Sequence, residues 1–67
     1  MHRWTVRRGG RVIGSVERAN GPLGVMYEAR DRDGKLLSSH GGGTPRDQRR
    51  RAYAAVKENA DKQQGGA

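Results

Sequence analysis

The chain has 67 residues, 31% of them hydrophobic, with no Phe, one Trp and two Tyr. That supplies one thin core and excludes a deep substrate cavity, whose walls would have to come from the same residues. The absence of cysteine excludes disulfides, thiolate metal sites and cysteine nucleophiles, and 14 Lys+Arg against 7 Asp+Glu leave a net charge of +7 that calls for an anionic partner.

From the N-terminus, His2 to Arg8 alternates apolar and polar residues, Gly9-Gly10 follows, and Arg11 to Arg18 resumes a strand-like run. Two glycines between two such runs predict a hairpin with a primed turn, since both accept positive φ. A two-residue loop pairs Arg8 with Arg11, Val6 with Ile13 and Trp4 with Ser15. Trp4, Val6 and Ile13 then share the core side. Arg3, Thr5, Arg7, Val12, Val16 and Arg18 share the other.

Asn20-Gly-Pro-Leu-Gly24 is a break rich in turn formers. Val25 to Arg30 predicts a third strand with Val25, Tyr27 and Ala29 inward and Met26, Glu28 and Arg30 outward. Asp31 to Gly34 predicts a type I turn with Gly34 as a left-handed bulge residue, which pairs Ala29 with Leu37 and Tyr27 with Ser39 and leaves Leu36 outward. Lys35 to His40 is the short returning strand. Gly41-Gly-Gly43 is a flexible connector. Thr44 suits a helix N-cap, Pro45 the first helical position, and Asp47 the third residue of a capping box. The helix is expected from Pro45 to about Ala60, with Ala52, Val56 and Ala60 as its apolar stripe beside Tyr53, and Arg46, Arg49, Arg50 and Lys57 on the flanks.

The expected fold is therefore α+β: a small antiparallel sheet of three to four strands followed by one C-terminal helix packed on one face. Residues 1–60 form a single domain and 61–67, without an apolar anchor, a disordered tail. No apolar run approaches a membrane span and the N-terminus lacks a signal-peptide layout, so a cytoplasmic protein is expected.

For chemistry, the two histidines are His2 and His40, too few for a metal site without unusual help. Ser38, Ser39 and His40 are neighbours on a strand, where adjacent side chains point to opposite faces, so they do not form a nucleophile and its base. No cofactor motif is present: Gly34-Lys35 is followed by Leu36, which breaks a Walker pattern. A non-enzymatic binding module is expected. The Gly41–Gly43 loop opening a helix also resembles a phosphate cradle at Thr44 to Arg46.

Charge is unevenly placed. Residues 1–18 carry five Arg and one Glu, residues 19–43 three basic and three acidic groups, and residues 44–67 six basic and three acidic groups. Eleven of the basic residues are Arg, whose planar donor fork suits phosphates and guanine edges, although GC-rich coding also favours Arg. The expected partner is nucleic acid, DNA before RNA, contacted by Arg3, Arg7, Arg11, Arg18, Arg30 and Lys35 with Arg46, Arg49 and Arg50 from the helix. The alternative is an acidic protein, or a second copy of the chain, docked on outward apolar residues Val12, Val16, Met26 and Leu36.

Gly14-Ser-Val-Glu-Arg18 followed by Tyr27-Glu-Ala-Arg-Asp-Arg-Asp-Gly-Lys35 resembles the N-terminal arm-binding domain of phage and conjugative-element tyrosine integrases. The resemblance extends over residues 14–60 and implies a three-stranded sheet packed on one helix, with the sheet in the DNA major groove. The chain departs from that pattern in its additional N-terminal hairpin and in having no catalytic recombinase domain after the helix. The resemblance implies a free-standing DNA-binding piece of phage or mobile-element type.

Overall fold

The computed structural model describes residues 2–65. Strands β1 (Arg3–Arg8), β2 (Arg11–Gly21), β3 (Gly24–Asp31) and β4 (Leu36–His40) are followed by helix α1 (Pro45–Gly65). The strands form one antiparallel sheet in the order β1-β2-β3-β4, and α1 packs on one side of it, as the sequence predicts.

Local chemistry accounts for three of the junctions. Gly9 and Gly10 have φ of 56° and 80°, the paired left-handed residues of a primed turn, and Arg8 faces Arg11 across it. At the β3–β4 corner the Gly34 N–H donates to the Asp31 carbonyl at 3.0 Å. The Asp31 carboxylate accepts from the N–H groups of Asp33 and Lys35 at 2.9 and 2.8 Å. This is the expected Asp-led turn. Thr44 caps α1, its hydroxyl accepting from the Asp47 N–H at 3.2 Å and its carbonyl from the Gln48 N–H at 3.0 Å.

Register departs from expectation in two places. Between Val6 and Arg7 the β1–β2 pairing shifts, so that Val6 faces Gly14 and Trp4 faces Val16, with Ile13 as the extra residue of a bulge. Val16 is therefore not an outward residue: it is fully buried between Trp4 and Ala29, at the centre of the sheet. Arg18, cross-strand partner of buried Tyr27, likewise moves to the helix side. A bulge moves every later residue of its strand to the opposite side, because strand side chains alternate with a period of two. A second shift, between Ala29 and Arg30, pairs Ala29 with Ser38 and Tyr27 with His40; Leu37 still packs on the core.

The core comprises Val6, Val16, Tyr27, Ala29, Ala52 and Val56, with Trp4, Ile13, Val25, Leu37, Tyr53 and Ala55 packed against it. Small residues set the helix–sheet spacing. A Cβ on Gly14 would lie 2.6 Å from the Val56 side chain and inside contact distance of the Arg30 carbonyl oxygen, so α1 rests where Gly14 has no side chain. The helix continues to Gly65 rather than ending near Ala60. Asp61 pairs with Arg8, and Lys62 with Glu58 one turn before it at 3.5 Å, both as solvent-exposed ion pairs. Residues 66 and 67 of the expected tail lie outside the described residues.

Candidate nucleic-acid interface

The outer side of the sheet, away from α1, was the expected basic surface. Register brings Glu17 and Glu28 directly opposite each other there, a like-charge pair that costs stability unless a cation intervenes. Arg30 intervenes. Its guanidinium lies 3.3 Å from Glu17 and 3.3 Å from Glu28 and donates to the Gly34 carbonyl at 2.9 Å, while Arg3 reaches Glu17 at 3.6 Å. Two of the expected contact residues, Arg3 and Arg30, are thus engaged with carboxylates. Arg7, exposed opposite Val12, has no such partner among the described residues. Lys35 is exposed in the turn, and Arg11 lies at the far end of the molecule, beside a hollow shared with Ala60 and Gln63.

The helix collects a different basic surface. At about 100° per residue, Arg46, Arg49, Arg50 and Lys57, with half-buried Tyr53 among them, fall within one band along a flank of α1. Asp47, Glu58 and Arg51 lie on the opposite flank, and Asp61, near the band's lower end, is taken by Arg8. The band adjoins the β1 edge, where the Arg49 guanidinium sits 5.7 Å from the centroid of the Trp4 ring. That distance is within cation–π range. Trp4 in turn packs at 5.9 Å from Tyr27 and 6.0 Å from the His2 ring. Arg18 is exposed at the same end, where it lines a shallow hollow of about 270 Å³ with His2, Ala19 and Asn20.

Of the nine expected basic contact residues, the structure gathers Arg18, Arg46, Arg49 and Arg50 towards one end and ties up Arg3 and Arg30 elsewhere. Among the described residues, none of those four has a carboxylate within 4.0 Å. The Trp4–Arg49 contact was not legible in the sequence, where Trp4 reads only as a core residue; it depends on which flank of α1 meets the β1 edge.

The glycine connector does not present an open phosphate cradle. Gly42 and Gly43 take φ of 79° and 72° to turn the chain into α1, and buried Gln48 donates to the Gly42 carbonyl at 3.1 Å. The Thr44 hydroxyl and the Asp47 N–H are spent on each other, with a carboxylate beside them. Strand alternation does not separate Ser38 from His40 as expected: two residues apart, they share one side of β4, and Ser38 Oγ lies 2.8 Å from His40 Nε2. Among the described residues no group of three or more His, Asp or Glu side chains is placed to hold a metal ion, and no helix is long and apolar enough to cross a membrane.

Comparison with protein-family models, curated proteins and solved structures found no match for this chain.

Proposed function

We propose that the protein is a non-enzymatic nucleic-acid-binding module, for duplex DNA foremost, that uses the basic flank of α1 rather than the outer side of the sheet. The observation that carries this reading is the band Arg46–Arg49–Arg50–Lys57, free of carboxylate partners among the described residues and continued at the sheet edge by Arg18. Arginine forks along a helix suit a phosphate backbone, and Arg49, resting on Trp4, is held in place before a partner arrives. The likeness of residues 14–60 to the integrase arm-binding domain supports the class of partner. The geometry favours a different contact surface from the one that likeness implies.

Binding through these five cations gives a logarithmic salt slope of about −4 to −5 on duplex DNA. Fluorescence anisotropy with a labelled duplex over a salt series reads it. Reversing Arg46, Arg49 and Arg50 to Glu abolishes binding, whereas Arg3→Glu with Arg7→Glu leaves most of it. Absence of duplex binding at low salt, or binding indifferent to salt, overturns the proposal. Loss of binding in the sheet variant alone returns the site to the sheet.

A second reading keeps one specific observation: Val12 and Leu36 are 40% and 46% exposed on the outer side of the sheet. An acidic protein docking there would use them with Met26 as anchors. Val16 is excluded from that role by its burial.

A further inference from the structure

In the order β1-β2-β3-β4, strand β1 has β2 on one side and, on the other, no strand among the described residues. Helix α1 lies chiefly over β2, β3 and β4. The ladder fixes which main-chain groups of β1 face the free edge. The His2 carbonyl accepts from the Arg18 N–H at 2.9 Å, and Arg8 faces Arg11 across the two-residue turn, so His2, Trp4, Val6 and Arg8 direct their main-chain groups to β2. Those of Arg3, Thr5 and Arg7 point away from the sheet, three N–H donors and three carbonyl acceptors in a row.

The side chains of the same three residues are exposed on the outer side of the sheet. Arg7 has no carboxylate within 4.0 Å among the described residues. Arg3 leans on Glu17 at 3.6 Å, but its side chain is 58% exposed and keeps N–H donors to spare. The edge thus offers a main-chain ladder with a cation at each end.

Ladder and charge together select the occupant. Phosphates accept from N–H groups but offer no donor to the three carbonyls, whereas an added strand answers both. A second copy is disfavoured. Two β1 edges about a two-fold axis at Thr5 would set Arg3 against Arg7, like charges directly opposite, and β4, the other edge, runs Leu36–His40 without a carboxylate. A foreign strand with carboxylates at alternate positions instead sets one opposite Arg3 and one opposite Arg7, and turns its intervening residues towards half-buried Trp4. We propose that β1 takes up an extended acidic segment of another protein as a fifth, antiparallel strand. This contact lies at the edge of the sheet and is separate from both the α1 flank and the exposed Val12 and Leu36.

The probe is a blocked peptide of alternating Glu and Val, titrated into the nuclease-treated full chain. At a peptide concentration about ten times its Kd, hydrogen exchange of the Arg3, Thr5 and Arg7 amides slows about tenfold. Two isomers of equal charge separate strand addition from plain attraction. N-methylation of the Glu amides, which face β1, abolishes binding; N-methylation of the Val amides, which face away, preserves it. Thr5→Pro keeps the far-ultraviolet circular dichroism of the parent, because proline is tolerated where the N–H faces solvent, and loses the peptide. Arg7→Glu, with no change of backbone, weakens binding about three- to tenfold. No binding overturns the proposal, as does equal binding of the two isomers or the reverse preference. Slowed exchange in β4 rather than β1 overturns it, and so does slowing of the β1 amides with protein concentration alone, which would give the edge to a second copy. In a separate arm, a duplex that slows the same three amides gives the edge to nucleic acid and likewise overturns it. The peptide titrations contain no nucleic acid, so their failure leaves the nucleic-acid reading standing, and the reverse holds too.

Discussion

Replacing Gly14 with Ala tests the helix–sheet seam most directly. The new methyl carbon would lie 2.6 Å from Val56 Cγ1 and closer still to the Arg30 carbonyl oxygen, where real contacts are seldom under 3.4 Å. Neither neighbour has an easy way out. Val56 is fully buried and, being β-branched on a helix, has essentially one rotamer, while the carbonyl belongs to the backbone of β3. Relief requires α1 and β3 both to move by several tenths of an ångström, and overpacking of this kind costs about 1–3 kcal/mol, with the backbone clash placing Gly14→Ala at about 3. For 67 residues the whole stability is on the order of 3–10 kcal/mol. At about 4–8 °C per kcal/mol, the variant should melt roughly 12–24 °C lower. Thermal circular dichroism with a parallel urea titration reads both quantities. A Gly14→Ala chain that melts within a few degrees of the parent would refute the bulged register and the placement of α1 over it.

Two further substitutions separate structural from binding roles. Val16→Ala should cost about 2 kcal/mol, from two buried methyl groups and the cavity they leave, whereas Val12→Ala should stay within about 0.5 kcal/mol; equal small effects in urea melts would restore Val16 to the surface. Arg30→Gln should lower stability by about 1 kcal/mol at low salt and less at high salt, by leaving Glu17 and Glu28 opposed, yet leave the salt slope of duplex binding unchanged. A slope reduced by about one would mean that Arg30 touches phosphate after all.

The parts legible in the sequence are those decided within a few residues. Gly9-Gly10, the Asp31–Gly34 turn and the Thr44 cap each specify their own geometry through backbone freedom or a short side-chain acceptor, and all three form. Strand register is decided farther away. Val12-Ile13-Gly14-Ser15-Val16 alternates acceptably in either phase, and the choice falls to Gly14, whose missing side chain admits Val56 from a helix forty-two residues on. The continuation of α1 past Ala60 has a similar origin. The Arg8–Asp61 pair formed there joins residues 53 apart and leaves no periodic trace near Asp61. The basic flank was half legible: the arginines could be placed on α1, but not the aromatic edge of β1 against which they lie.

The single extra residue at Ile13 has an electrostatic consequence larger than its structural one. Without it Val16 and Arg18 would share the outer side of the sheet with Arg3 and Arg7, and Glu17 would turn towards the helix. With it, Val16 completes the core and Glu17 emerges on the outer side, within reach of Arg3 at 3.6 Å and Arg30 at 3.3 Å. Arg18 crosses to the side where Arg46, Arg49 and Arg50 stand. One shift of phase exchanges Arg18 for Glu17 on the outer side of the sheet and adds Arg18 to the other, with composition and net charge unchanged. Counting arginines therefore gives only the net charge, and the register of β2 against β1 decides which side of the molecule carries the unpaired cations.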